Sequence, residues 1–250
     1  MSEAWYEHFY TGDFIEAVGF AAPEQTALEV DFVKKVLKCP AGARILDLCC
    51  GYGRHAFELA KSGEYRVIGQ DLSTDYLRIA KKKFAGPNVE YIRGDMREIP
   101  FENEFDGVID LFTSFGFFDS DGENERVLAA VHRALKPDGL FLLDYENKFY
   151  FVYHDVFLKR RYWEQIDGRF YLYENRYDPF LEREIMDVRI FENGEVKRSG
   201  GYNIRLYGYP EIEKMLSRNG FTIRQTWGDY RGNPYSTHSP RLILLSQKIR

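Results

Sequence analysis

A short apolar run that ends in closely spaced glycines leaves a chain few ways to fold. Here the stretch is Arg44-Ile-Leu-Asp-Leu-Cys-Cys-Gly-Tyr-Gly-Arg-His-Ala56. Arg44–Cys49 has the continuous apolar character of a strand covered on both faces, which belongs to parallel rather than antiparallel sheets. Gly51 and Gly53 supply a tight turn, and Gly53 to about Lys61 reads as a helix with Ala56, Phe57, Leu59 and Ala60 inward. Backbone N–H groups at such a turn are free to bind a polar ligand, and glycine lets that ligand come close.

The same rhythm continues downstream. Strands are expected at Tyr65–Asp71, Val89–Asp95, Phe105–Phe112 and Leu140–Asp144, separated by helices at Thr74–Phe84, with Ser73 as N-cap, and at Gly122–Leu135. A helix from Pro23 to about Leu37 precedes the first strand. Alternating strands and helices imply a parallel sheet with helices on both faces, wound right-handedly. From Lys148 to Arg205 the pattern changes to period-two aromatic runs, Phe170–Tyr177 and Ile185–Phe191, separated by Asp167-Gly168, Asp178-Pro179 and Asn193-Gly194. That is an antiparallel meander. A helix from Tyr209, a strand Phe221–Trp227, a polar loop Gly228–Pro240 and a strand Arg241–Lys248 complete a sheet of seven strands. The division expected is a core of residues 1–147 and 206–250, its first 40 residues a helical arm, and a β insert of residues 148–205 over the substrate pocket.

A net charge of -5 over 250 residues, with eleven basic and ten acidic residues between Lys148 and Arg205, argues against a nucleic-acid partner. Cys39, Cys49 and Cys50 form neither a disulfide framework nor a zinc pattern, so no metal is expected. There is no signal-like N-terminus and no apolar run long enough to span a bilayer, so the expected location is the cytoplasm, with no membrane partner.

Two ligand classes fit the opening turn. A dinucleotide site wants G-x-G-x-x-G, which Gly51-Tyr-Gly-Arg-His-Ala56 meets loosely, and Asp71 lies 18 residues after Gly53, where a ribose-binding carboxylate belongs. Asp47, four residues before the glycines, would repel a pyrophosphate and suits a cationic amine or sulfonium. Asp95 adds an acceptor for an adenine amino group.

Together these residues resemble the class I S-adenosylmethionine-dependent methyltransferases, a Rossmann-like seven-stranded α/β fold. The first motif of that family, D-x-G-x-G-x-G, appears as Asp47-Leu-Cys-Cys-Gly-Tyr-Gly53, with Cys49 in place of the first glycine. Cysteine is small enough for the turn to survive. The resemblance implies S-adenosyl-L-methionine as cofactor, S-adenosyl-L-homocysteine as product, Asp71 on the ribose hydroxyls, and Asp95 and Met96 at the adenine. Asp47, Cys49, Gly51, Gly53, Leu72, Leu111 and Tyr10 complete the expected cofactor site.

The resemblance also narrows the acceptor. Asp110-Leu-Phe-Thr-Ser-Phe-Gly116 lacks the paired prolines of enzymes that methylate ring amines in nucleic acid, and no cysteine follows the first motif to serve as a nucleophile. What remains resembles the small-molecule branch, whose insert after the fifth strand roofs the active site. Direct in-line displacement is the expected chemistry, needing alignment and desolvation more than acid–base power. His238 and Tyr235 are the candidate catalytic residues, with Phe115, Asn147 and Arg231 toward the substrate; Phe112 and Phe118 are further candidates to shape the pocket. His55 and His132 read as structural. Oligomeric state is not legible. An RNA or protein methyltransferase, an NAD-dependent oxidoreductase and an inactive cofactor-binding protein stay open as alternatives.

Overall fold

The computed structural model describes residues 4–12, 14–15, 19–153, 160–166 and 168–249. After a short helix α1 (Trp5–His8), the chain runs α2 (Pro23–Leu37), β1 (Arg44–Leu48), α3 (Arg54–Lys61), β2 (Arg66–Asp71), α4 (Thr74–Lys83), β3 (Val89–Arg93), β4 (Phe105–Asp110), α5 (Asp121–Ala134) and β5 (Leu135–Glu146). It continues through α6 (Lys148–Tyr153), β6 (Arg160–Ile166), β7 (Arg169–Asp178), β8 (Arg183–Glu192), β9 (Glu195–Arg205), α7 (Tyr209–Arg218), β10 (Phe221–Trp227) and β11 (Arg241–Lys248).

The main sheet has seven strands in the order β10-β11-β5-β4-β1-β2-β3. β1 to β5 pair in parallel, and β11 lies antiparallel to both β5 and β10. Successive residues serve opposite faces, as the pleat requires. Leu46, Val108, Phe141 and Leu143 face α5 and α7, while Ile45, Ile109 and Leu142 face α2 and α3. Both faces are therefore covered, which is why these strands read as continuous apolar runs. The order reverses between β1 and β4, and ligands of open α/β sheets bind outside the carboxyl ends of strands at such a switch point.

The insert is a four-stranded antiparallel sheet, β6-β7-β8-β9. Its inner face carries Tyr171, Tyr173, Met186, Val188 and Ile190, which close on Phe9 of the N-terminal arm as a third, smaller core. Turns fall at the expected glycines and asparagine: Gly168, Asn193 and Gly194 all have positive φ. Asp167 lies outside the described residues.

Two elements depart from expectation. Residues 148–153 form a helix rather than part of the meander, because Asn147 caps it: its Oδ1 accepts from Phe149 N at 3.1 Å and its carbonyl from Tyr150 N at 2.9 Å. β5 begins at Leu135, not Leu140. Phe105 pairs with Leu135 and Gly107 with Leu140, so Lys136–Gly139 bulges within the strand. Lys136 Nζ holds the bulge against the sheet through both Asp106 oxygens at 2.8 Å.

The turn after β1 is set by packing as well as backbone freedom. Gly53 has φ +84°, and a Cβ there would sit 2.6 Å from the Tyr91 ring, whose hydroxyl donates to the Gly53 and Phe84 carbonyls at 3.2 and 2.8 Å. Gly194 has a similar φ of +82° with open space around it. Urea unfolding should show Gly53→Ala costing roughly 2–4 kcal/mol, and Gly194→Ala only about 1 kcal/mol, since the second pays backbone strain without overpacking. Equal losses would mean that Tyr91 yields freely.

Candidate active site

At the carboxyl ends of the parallel strands lies a cavity of about 470 Å³. The β1–α3 turn forms its floor through Cys49, Cys50, Gly51 and Tyr52. Cys49, Gly51 and Gly53 all adopt left-handed backbone, with φ +57°, +55° and +84°. The first-motif position without glycine therefore keeps the conformation a glycine would supply, and its thiol lies 3.8 Å from the Met96 sulfur.

Acidic groups line the rim in distinct states. Asp71 ends β2 and accepts from Gly51 N and Ser73 N, each at 2.8 Å. Burial nonetheless raises its proton affinity above the ordinary aspartate value, against the pull of these backbone donors. Asp47 is 2% exposed, and its Oδ2 has no hydrogen-bond partner among the described residues. Burial pushes it up to about 7, opposed by the Ala56 N–H and the Arg54 charge. A buried carboxylate oxygen without a donor is costly unless a ligand completes it. Asp110, at the end of β4, is fully buried with both oxygens likewise orphaned; burial, then Asp144 and Asp47, drive it well above the ordinary range.

Basic side chains approach from one side. Arg54 and His55 open α3 and line the cavity. Both are held by Glu29, a fully buried acid of α2: Arg54 Nη1 pairs with it and His55 Nε2 lies 2.7 Å away. Burial opposes the Glu29 charge, but the bonds from His55 and Gln25 and the Arg54 charge outweigh it and hold its proton affinity down. Burial likewise keeps His55 toward its neutral form. Arg54 stacks 4.6 Å over the Phe112 ring, and Arg241 lies 5.6 Å from the same ring. Phe112 and Thr113 have φ of +64° and +60°, rare for such residues. Asp144 pins them, accepting from Phe112 N at 2.9 Å through its side chain and from Thr113 N at 3.1 Å through its carbonyl. Asp144 in turn is fully buried against Arg241 Nε at 2.7 Å and the Tyr230 hydroxyl at 2.6 Å.

The N-terminal arm covers the remaining side. Tyr10 stacks on Phe117 with centroids 5.8 Å apart, and both line the cavity. The Tyr10 carbonyl accepts from Ser73 Oγ at 2.6 Å, and Gly12 N donates to Asp75 at 3.0 Å, so the arm is fastened to the start of α4.

Of the residues expected in the cofactor site, Tyr10, Asp47, Cys49, Gly51, Asp71, Leu72, Met96 and Leu111 line this cavity. Gly53 sits just behind the floor. Asp95 does not line it: Arg97 takes both carboxylate oxygens, with Nη2 at 2.6 Å, and bridges to Glu123. The residues expected near the acceptor lie elsewhere. Phe115 is 1% exposed among Tyr145 and Tyr207, in the core, and Phe118 is buried too; Phe112 and Phe117 face the cavity instead. Asn147 is buried and caps α6 while holding the Ser236 and Ser239 carbonyls at 2.9 and 2.7 Å. Tyr235 donates to Asn147 Oδ1 at 3.2 Å. Arg231 and His238 are exposed on the 228–240 loop, His238 beside Tyr153 at 5.8 Å, and neither lines the cavity.

Residues 45–139 match the family model described as a methyltransferase domain. Over that stretch the chain is similar to the methyltransferases. A putative methyltransferase from Bacillus subtilis, YqeM, is 29% identical over 216 residues, covering 84% of this chain and 86% of the relative. Among solved structures, the CcbJ methyltransferase from Streptomyces caelestis superposes with a TM-score of 0.81 at 19% identity, over 100% of both chains. CalS10, an amino pentose methyltransferase from Micromonospora echinaspora solved with S-adenosylmethionine bound, gives 0.67 at 19% identity, covering 96% of this chain and 98% of its own. At these identities the structural likenesses establish the fold. Among the described residues, no helix of the chain is long and apolar enough to cross a membrane.

Four ionisable residues carry little or no local signature in the sequence. Glu29 falls in the apolar stripe of α2 with Thr26, Val30, Val33 and Leu37, and an acid in a buried stripe was the available signal. Arg241 and Asp144 gave no local signal. Nor did Glu184 of β8, which is 1% exposed and donor-poor: Tyr202 Oη lies 2.5 Å from its Oε1, while Oε2 has no partner among the described residues. Burial, then the facing Glu146 of β5, push Glu184 up to about 9, against the Tyr202 hydroxyl of β9 and the Arg241 charge of β11; Tyr10 of the arm also lies within its field. Its folded-state pKa is raised above the ordinary value near 4.5, so its contribution to stability is fully present below that value and is lost as pH rises through about 9. The thermal midpoint should therefore fall across that window more steeply in the native protein than in Glu184→Gln, as read by circular dichroism. Parallel pH profiles would place Glu184 in water.

Proposed function

We propose that this methyltransferase transfers the methyl group of S-adenosylmethionine to a small-molecule acceptor by direct in-line displacement, and that the cofactor occupies the cavity between the β1–α3 turn and the N-terminal arm. The observation that carries the reading is the orphaned Oδ2 of Asp47 beside the left-handed turn, in a cavity of about 470 Å³. A buried acid without a donor fits a ligand that brings a positive charge, and it disfavours a pyrophosphate. Asp71 stands at the rim as the ribose acceptor, Met96 and Leu72 flank the adenine, and Cys49 and Gly51 receive the amino-acid end. Tyr10 and Phe117 cover the reacting side and exclude water. Bound S-adenosylmethionine supplies an electrophilic methyl group on a sulfonium, which needs no metal activation. A small-molecule acceptor is supported by the covered cavity, by the balanced charge of the insert, and by neighbours such as CalS10 that act on an amino pentose. The insert of residues 148–205 belongs to the acceptor side in this reading.

Calorimetry with S-adenosylmethionine should show Asp71→Ala weakening binding by about a hundredfold, because ribose hydroxyls lose a buried acceptor. Unchanged affinity removes Asp71 from the site. Labelled-methyl transfer to a cell extract fractionated by size should place radioactivity in the small-molecule fraction; label confined to protein or RNA fractions would refute the acceptor class.

A further inference from the structure

Among the described residues that line the cavity, Arg54 alone carries a permanent positive charge, since burial keeps its neighbour His55 toward the neutral form. Arg54 opens α3 directly after Gly53, whose left-handed backbone turns the chain into the helix, and it is among the buried residues of that helix. Its guanidinium is held at one end and on one face. Nη1 donates to Thr26 Oγ1 at 3.0 Å and pairs with Glu29 Oε2, and the Phe112 ring centre lies 4.6 Å from the guanidinium carbon. Glu29 is itself engaged on both oxygens: Gln25 donates to Oε1 at 2.6 Å, and His55 Nε2 shares Oε2 at 2.7 Å. The other edge of the guanidinium, Nε and Nη2, has no hydrogen-bond partner among the described residues.

A cation only 9% exposed thus keeps half of its fork unmet, on the wall of a cavity. Two parallel N–H groups match a carboxylate in bidentate geometry, and a partner gained away from water is worth more than one at the surface. The free N–H groups of the first turn of α3 add positive potential at the same end of the helix. Asp47 has the opposite need, with its Oδ2 buried in the same cavity and no donor for it among the described residues. A ligand with a carboxylate alone would meet the Asp47 acid, and one with an amine alone would leave the Arg54 edge empty. An α-amino-acid group carries both charges on neighbouring atoms and meets both. S-Adenosylmethionine ends in such a group.

Resting on the cofactor reading above, we propose that Arg54 binds the carboxylate of the cofactor's amino-acid end, through the Nε/Nη2 edge that Glu29 and Thr26 leave open. Arg54 is then a specificity-determining residue. It makes the cavity select the intact cofactor and its product over adenosine thioethers that lack the carboxylate.

Three probes titrated calorimetrically into the full-length protein separate the contributions. They are S-adenosylhomocysteine, its decarboxylated analogue with hydrogen in place of the carboxylate, and methylthioadenosine, which lacks the amino-acid end altogether. The native protein should bind S-adenosylhomocysteine at least about tenfold more tightly than the decarboxylated analogue. Arg54→Gln should reduce that preference below about threefold, while affinity for methylthioadenosine stays within about twofold of native, which certifies the fold of the variant. Removing Arg54 alone strands the buried Glu29 charge, so the double variant Glu29→Gln/Arg54→Gln removes the pair together and should lose the same preference. Equal binding of S-adenosylhomocysteine and its decarboxylated analogue by the native protein, or a preference that survives both substitutions, overturns the assignment. So does a parallel loss of affinity for all three probes, which would make Arg54 a structural residue. Failure of the native protein to bind any of the probes would instead overturn the cofactor reading beneath it.

Discussion

Between Leu48 and Arg54 the chain must pass from a buried parallel strand to a helix whose N-terminus opens on the cavity. It does so with three left-handed residues, at 49, 51 and 53, and everything at the site depends on that reversal. Glycine takes such a conformation without strain; for cysteine it costs on the order of 1–3 kcal/mol and persists only where surrounding structure dictates it. Here it does. Cys50 N donates to the Gln70 carbonyl at 3.0 Å, Gly51 N to Asp71 at 2.8 Å and Gly53 N to the Cys50 carbonyl at 2.9 Å, so β2 fixes the turn from outside. Tyr91 of β3 closes on Gly53 from below. Asp71 thereby has two duties, since the carboxyl that faces the cavity also holds the floor.

The second constraint is electrostatic. Adjacent parallel strands deliver Asp47, Asp71, Asp110, Asp144 and Glu146 to one edge of the sheet. The protein handles them by different means. Asp71 is met by backbone donors, Asp144 by Arg241 and Tyr230, and Glu29 behind them absorbs Arg54 and His55. Asp47 and Asp110 have oxygens without a partner among the described residues, and burial raises their proton affinity. Burial that leaves acids unsatisfied lowers stability, and it also leaves a site in which a positive ligand gains more than it would in water. The same edge that is costly in the free protein is therefore favourable toward a cation.

What could be read from the sequence were features with local signatures. The β1–α3 turn, Asp71, the alternation of strands and helices, and the hairpin turns at Gly168 and Asn193-Gly194 each rest on a few neighbouring residues. Contacts between distant elements left no such trace. Glu146 and Glu184 are far apart in sequence and meet only because the insert folds back on β5. Residue type alone also misleads: a histidine in a polar loop, His238, suggested chemistry, yet Asn147 ties that loop through its backbone carbonyls and His238 points to Tyr153 rather than into the cavity. Asn147 itself was expected at the substrate because it follows a strand end, but its amide is fully committed to capping and loop anchorage. Asp95 shows the same effect at short range, its carboxylate captured by an arginine two residues on.

The N-terminal arm joins these parts. Arg198 of β9 donates to Thr11 Oγ1 at 2.6 Å and to the His8 carbonyl at 2.8 Å, while Ser73 and Asp75 hold Tyr10 and Gly12 from the other side. Phe9 completes the insert's inner core, and the next residue, Tyr10, forms the cavity wall. Phe9 follows α1 directly with right-handed helical backbone, and its ring meets the Tyr10 ring edge-on with centroids 5.1 Å apart, so the two side chains form one continuous aromatic wall. The consequence is that the insert's small core and the cavity are closed by the same few residues. Neither can be completed without placing the arm, and the free energy of packing Phe9 is spent partly on holding Tyr10 over the acidic edge of the sheet.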